Sequence, residues 1–337
     1  MIEVRKLFAL GAAMTLAAGA LTGCGTASGT QKPTVVTTVY AVYDMAKQLT
    51  AEFENAPEVK LLLTPGGESH SYEPSPSDVA AIQSCDLFVY VGGESETWAE
   101  KLIETSRQTK KNVRLFDAVS PLTEETVEGM EAEHNHDDHD HDDHDDHDDE
   151  HNSHDHDHDG IEYDEHIWTS PLNADAMLKM TFEAIAVQYP AEKPHADAAY
   201  QKLHTAFTDL DAQAKQIKEK QKTNTLIFAD RFPFRYLTNA YGWEYYAAFS
   251  GCSSDNDASA ATLSFLISKV KDLDIKTVFY LENSTKKVSD AVCRATGADA
   301  VMLQSGNNVS QEDFKANLHY QDIMKANLDA IGKALGA

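Results

Sequence analysis

Between residues 35 and 335 the hydrophobic positions fall into two alternating patterns. Short β-rich apolar runs at 35–39, 59–63, 87–91 and 113–116 predict strands. The stretch through Tyr43, Met45 and Leu49, and that from Trp98 to Thr105, predict helices. After Pro190 and Pro194, the residues Leu203, Phe207, Leu210, Ala214 and Ile217 recur every three or four positions, which is one face of a long helix. The alternation then resumes, with strands expected at 225–228, 244–249, 277–281 and near Val301. Helices are expected between them at 234–241, 258–271 and 285–296, and finally at 311–335. Strands alternating with helices give parallel sheets. The fold expected is α/β: two Rossmann-like lobes, each a mainly parallel sheet with flanking helices. One long helix joins them and leaves a cleft between the strand ends, where ligands of open α/β sheets lie.

The ends of this pattern divide the chain. Residues 1–23 read as an export signal, with Arg5 and Lys6 ahead of an uncharged apolar stretch too short to span a bilayer. Leu21-Thr22-Gly23-Cys24 has the form of a lipobox, so Cys24 is expected to carry lipid and residues 24–33 to form a tether. A first lobe is expected at 34–190, the linking helix at 191–222 and a second lobe at 223–337. The mature chain would then be extracytoplasmic, held to a membrane by lipid, without crossing it, and monomeric.

Charge changes the picture in one place. The formal net charge is −27, but residues 131–159 hold fifteen Asp or Glu and no Lys or Arg, which leaves about −12 elsewhere. Nothing basic is concentrated enough to suit nucleic acid. The same segment carries ten histidines: His134, His136, His139, His141, His144, His147, His151, His154, His156 and His158. With almost nothing apolar to bury, it is expected to be a disordered loop inside the first lobe. An acidic linker has no need of ten imidazoles, so the loop is read as an accessory metal binder.

Cys85 opens an apolar run and is expected to be a buried strand residue. Cys252 and Cys293 are expected to pair, since an exported chain meets conditions that permit disulfides.

Two segments carry the chemistry. Pro65 to Asp78 follows a predicted strand and holds His70; Glu165 to Ala174 follows the acidic loop and holds His166. Either histidine alone would be read as an ordinary polar side chain. Together their surroundings resemble the solute-binding proteins for zinc and manganese that serve ABC importers. Members of that family carry Gly-x-x-x-His-x-Tyr-Glu-Pro-x-Pro-Ser-Asp, matched here from Gly66 to Asp78. They also carry His-x-Trp-x-x-Pro-x-Asn-Ala, matched from His166 to Ala174. Zinc-selective members have a histidine-rich acidic insertion between the two.

The resemblance runs from about Val35 to the C-terminus. It implies two lobes, a rigid linking helix, one metal in the cleft and delivery to a membrane permease. It places the first two ligands at His70 and His166. The family's third ligand, a His or Glu after the first strand of the second lobe, falls at Ala229 or Arg231, neither of which binds a cation. Asp230 between them can, and it is taken as the third ligand; pairing with Arg231 or Arg235 is its alternative role. The fourth falls at Glu282, which could equally cap a helix.

Two imidazoles and two carboxylates suit tetrahedral Zn²⁺ and offset its charge in a partly buried cleft. Mn²⁺ is the alternative cargo; the histidine-rich insertion favours zinc. A zinc hydrolase would need an open coordination position and a general base, and no His-Glu-x-x-His motif occurs. A surface protein that buffers metal through its loop alone is the remaining rival. His195, His204 and His319 are read as surface residues, and Trp168, Phe232, Phe234 and Trp243 as packing at the lobe interface.

Overall fold

The computed structural model describes residues 32–67, 71–105, 111–131, 162–253 and 257–337. The expected export signal, Cys24, His70 and the ten loop histidines lie outside those residues.

Four strands build the first sheet: β1 Thr34–Thr37, β2 Glu58–Leu61, β3 Leu87–Tyr90 and β4 Lys111–Arg114. All pair parallel in the order β2-β1-β3-β4, with Val35 opposite both Val59 and Leu87. Parallel pairing requires crossovers, and helices α1 Tyr40–Leu49, α2 Pro76–Ser84 and α3 Thr97–Thr105 supply them. Because helices cover both faces, β3 is apolar at every position and wholly buried.

A second sheet repeats the plan. Its strands are β5 Thr225–Arg231, β6 Glu244–Phe249, β7 Thr277–Leu281 and β8 Asp299–Leu303, all parallel in the order β6-β5-β7-β8. In each sheet the chain reverses direction of travel between its first and third strands. That switch point is where open α/β sheets leave a crevice.

Between the sheets in sequence come α4 Pro171–Gln188 and α5 Lys193–Lys220. At 28 residues, α5 is about 42 Å long at the α-helical rise. Its buried face holds Leu203, Phe207, Leu210, Ala214 and Ile217, the residues expected from their spacing, and packs on α4 and on the C-terminal helix. The remaining helices are α6 Arg235–Tyr241, α7 Ala260–Asp272, α8 Lys287–Thr296, α9 Gln311–Ala316 and α10 Tyr320–Leu335. One apolar cluster includes Val35 and Leu87 of the first sheet, Phe207 of α5, and Phe228 and Phe279 of the second sheet. Residues 33–337 accordingly form one compact unit.

Three elements differ from expectation. The final helix is two helices, because Asn317 turns left-handed (φ 53°) and the Leu318 amide closes back on the Asp313 carbonyl at 3.1 Å. Asn tolerates that conformation at small cost. Strand β5 runs on past Phe228 through a register shift that pairs Arg231 with Phe249. Helix α2 begins inside the stretch read as a loop: Ser75 accepts from the Asp78 amide, Asp78 reciprocates, and Pro76 opens the first turn. Thus the Pro-Ser-Pro-Ser-Asp stretch is a helix start.

Among the described residues, no helix is long and apolar enough to cross a membrane.

Candidate metal site

His166 sits where the chain returns from the acidic loop. An isolated antiparallel bridge between Thr123 and Tyr163 closes the loop's base, and the 3-10 turn Ile167–Thr169 follows. The side chain is 3% exposed. Asp164 Oδ1 accepts from the His166 main-chain amide at 2.8 Å and lies 3.2 Å from the ring Nδ1. With Nδ1 engaged, coordination of a metal falls to Nε2, the arrangement that commonly orients histidine ligands. Burial pushes the His166 pKa down, but the charge and hydrogen bond of Asp164, with the charges of Glu165 and Glu124, hold it above its ordinary value.

Glu282 follows β7 at the switch point of the second sheet. Its Oε2 accepts from the Ser305 amide at 2.8 Å and its Oε1 from the Ser305 hydroxyl, so the carboxylate is held at both oxygens. Burial raises its pKa, opposed by those two hydrogen bonds and by the charge of Arg231.

His166 and Glu282 line one pocket, together with Gly67, Arg231, Ser305 and Asn308. Gly67 belongs to the stem of the loop that carries His70. Asn308 of the second lobe pins that stem, its amide donating to the carbonyls of Thr64 at 2.9 Å and Gly67 at 2.8 Å. On the far side of residue 70, the Tyr72 hydroxyl donates to Asp78 at 3.0 Å and Lys60 pairs with the same carboxylate at 3.1 Å.

Asp230 stands elsewhere. It is 8% exposed, and it is not among the residues lining this pocket. Its Oδ1 accepts from the Arg231 amide at 2.9 Å and its Oδ2 from the Leu281 amide at 3.2 Å. The carboxylate thus ties the end of β5 to the end of β7, one residue before Glu282. Extension of β5 produces this placement, since successive strand residues face opposite ways and Arg231 takes the pocket side. Among the described residues, no three His, Cys, Asp or Glu side chains form a ready metal set.

The expected disulfide is absent: Cys252 and Cys293 are both free. Cys252 follows β6, its amide donating to Glu124 at 3.4 Å, and its thiol pKa is pushed up by burial and then by the charges of Glu124, Glu165 and Asp164. Cys293 lies on α8 beside a separate apolar cluster with Val288 and Val292. A compartment that permits disulfides says nothing about whether two thiols meet. Cys85 is buried, as expected, but it caps α2 rather than opening a strand.

Trp168, Phe232, Phe234 and Trp243 all belong to the shared core. Trp168 also crosses between lobes, its indole donating to the Ser305 carbonyl at 2.8 Å. The ring Nδ1 atoms of His195, His204 and His319 lie within hydrogen-bond distance of Glu192, Asp175 and Asp44, each with a substantially exposed side chain.

The family described as zinc-uptake complex component A, periplasmic (ZnuA), matches residues 35–334. The chain belongs to this family. Among ZnuA relatives, the high-affinity zinc uptake system protein ZnuA of Bacillus subtilis is 32% identical over 301 residues, which is 89% of this chain and 87% of that protein. The zinc-binding lipoprotein AdcA of Streptococcus pneumoniae is 31% identical over 309 residues, 89% of this chain but 55% of AdcA. This chain therefore spans little more than half the length of that relative. The Zn(II)-bound ZnuA-like domain of S. pneumoniae AdcA superposes with a TM-score of 0.71 at 26% identity, covering 91% of this chain and all of that one. The metal-dependent lipoprotein YcdH of B. subtilis gives 0.71 at 27% identity, with the same coverage. ZnuA is a solute-binding component of transport, and its two-lobe architecture is the one described above.

Asp164, Ser305 and Tyr236, which hold the segments of His166 and Glu282, do not stand out in the sequence. Asp164 was visible as an acid two positions before His166, a spacing that lets a carboxylate close onto the following amide. Ser305 and Tyr236 lie far along the chain from what they touch and left no local signal.

Proposed function

We propose that this protein captures Zn²⁺ in the cleft between its lobes and delivers it to the permease of an ABC importer. His166 and Glu282 are its ligands, with His70 the third; Asp230 fixes the strand ends beneath them. The observation that carries this reading is that His166 and Glu282, from different lobes, line one pocket beside the stem of the His70 loop. One imidazole and one carboxylate there are donors zinc accepts, and Asp164 presets the ring as zinc ligands require. Zinc rather than Mn²⁺ is supported by the ten loop histidines and by relatives named for zinc. The protein holds and transfers its cargo without a chemical step, is anchored through lipid on Cys24, and works as a monomer outside the cytoplasm. Its histidine-rich loop gathers zinc near the cleft as an accessory.

A competitive zinc titration of the soluble chain beginning after Cys24, with residues 131–159 removed, tests this. One tight site is expected to survive the deletion and to be lost in His70→Ala and in Glu282→Ala. If no tight site remains after the deletion, the loop is the metal-binding element and the cleft reading fails.

A further inference from the structure

Residues 304–309 lie between β8 and α9 and hold each segment that carries a proposed ligand. At the start, Ser305 donates from its amide and its hydroxyl to the two carboxylate oxygens of Glu282. Its carbonyl accepts from the indole of Trp168, two residues past His166. At the end, Asn308 donates to the Thr64 and Gly67 carbonyls, and the Val309 carbonyl accepts from the Gly66 amide at 2.9 Å. The stem of the His70 loop is held through all of these. In the middle, the carbonyls of Gly306 and Asn307 accept from the Ala41 and Tyr40 amides at 3.1 and 2.8 Å. Those two donors open α1 and have no partner inside their own helix. Most of these bonds cross from the second lobe to the first.

The segment is itself fixed from behind. Asn327 of α10 is 3% exposed and is not among the residues lining the pocket. Its Oδ1 accepts from the Gln304 amide at 3.0 Å, and its Nδ2 donates to the Gln304 carbonyl at 2.7 Å. Both main-chain groups of the residue before Ser305 are thus tied to one side chain. The pairing uses both ends of the amide, so it admits one orientation of that side chain.

We propose that residues 304–309 set the cleft's donors against one another across the lobes, and that Asn327, outside the pocket, is a positioning residue for zinc. This rests on the cleft reading above. One stretch of backbone carries the attachments of Glu282, the His166 turn and the His70 stem, so loosening one attachment frees the others to move. Hydrogen-bonded partners behind metal ligands are worth about ten- to a hundredfold in affinity, because coordination tolerates little error in donor placement. Asn327 acts one step further back, through Gln304 and Ser305.

The test is a zinc titration of the full chain against a competing fluorescent chelator, with amide hydrogen exchange and urea unfolding of the metal-free protein. The cleft step is the one that disappears in Glu282→Ala. Asn327→Ala should weaken that step about tenfold. It should also speed exchange of the Gly66 and Ala41 amides, which lie in the other lobe. Asn308→Ala should weaken the step by a similar factor from the other end. Together the two should cost clearly less than the roughly hundredfold product expected of independent sites. Asn327→Asp keeps the acceptor for the Gln304 amide and loses the donor, so it carries the same test if the alanine variant does not fold. Ile331→Val, a buried position one turn further along α10, is the control. It should lower stability and leave the cleft step unchanged. An Asn327 variant that is destabilised yet binds zinc as the wild type does overturns the proposal, as does a double variant at the full product. So does an Ile331→Val protein weakened as much as Asn327→Ala, since affinity would then follow stability alone. Absence of any Glu282-dependent step in the wild type would instead defeat the cleft reading itself.

Discussion

The hydroxyl of Tyr236, on α6 of the second lobe, donates to the main-chain oxygen of Asp164 at 2.8 Å and accepts from the Leu122 amide at 3.0 Å. Asp164 in turn holds the backbone and ring of His166. One hydroxyl thus fastens both chain segments beside the Thr123–Tyr163 bridge to the second lobe, two residues from a proposed zinc ligand.

Tyr236→Phe should therefore cost both stability and affinity. Tyr236 is 3% exposed, and losing its oxygen leaves a buried amide and carbonyl without that partner, a penalty of about 1–3 kcal/mol. Urea unfolding of the metal-free protein should show that loss. Zinc titration should show weaker binding in the same variant, since His166 loses a restraint. A stability loss with unchanged affinity would mean that the contact is structural and does not position the site.

How much of this was readable beforehand depended on how local each cause is. Strands β6 and β7 came out at their expected bounds, because short apolar runs between turns are a local signal. The long helix, expected at 191–222, runs Lys193–Lys220, and its apolar face repeats over many turns. Its neighbour at the C-terminus reads as continuous in sequence, since the apolar pattern runs across Asn317 and only the backbone angle shows the break. The placement of Asp230 against Arg231 hinged on where β5 ends. The three further strand residues, Ala229 to Arg231, alternate between faces, and no pattern in residues 225–231 fixes that end. Partners such as Glu282 and Ser305 are joined only by the pairing of β7 with β8, a tertiary fact.

Gly251 offers a sharper probe of His166. A Cβ built at that position would lie 2.9 Å from the Phe232 carbonyl and 3.2 Å from both Cε1 and Nδ1 of His166. The carbonyl is backbone and cannot swing aside, so the imidazole must give way. Gly251→Ala should weaken cleft zinc binding by tenfold or more, at a stability cost of roughly 1–3 kcal/mol. Gly242→Ala is the control: its added Cβ meets only the Lys218 ammonium, at 3.7 Å. It should lower stability through its left-handed backbone (φ 64°) without changing zinc affinity in titration.

Proton competition at His166 gives a pH prediction with a definite sign. Its pKa is raised in the metal-free protein because burial, which lowers it, is outweighed by the charge and hydrogen bond of Asp164 together with the charges of Glu165 and Glu124. Protonated His166 therefore favours the empty folded state, fully so below the ordinary imidazole value of about 6.5, and this is lost as pH rises through the higher folded value. Zinc must displace that proton, so affinity should start to fall, on acidification, while the pH is still above about 6.5. Asp164→Asn removes the main raising influence. Its affinity should hold to lower pH, although it should be weaker at pH 8 because the ring is less well oriented. Chelator competition at several pH values checks both arms; identical pH profiles for the two proteins would contradict the account.

Glu96 makes a separate prediction about stability. It lies on the turn before α3, is 7% exposed, and its Oε2 accepts from the Gly92 amide at 2.7 Å. Burial, aided by the charge of Glu165 and opposed by hydrogen bonds including that amide, pushes its pKa up to about 7. The unfolded chain releases this proton near pH 4.5 while the folded protein keeps it to about pH 7. The stabilisation is therefore complete below pH 4.5 and is lost as the pH climbs to 7. A gap of that width corresponds to a loss on the order of 3 kcal/mol. Glu96→Gln keeps the acceptor for Gly92 and never ionises. It should match the wild type near pH 4.5 and exceed it at pH 8 by up to about 3 kcal/mol in urea unfolding. A stability difference that stays constant across that window would show that the carboxyl does not hold its proton in the folded protein.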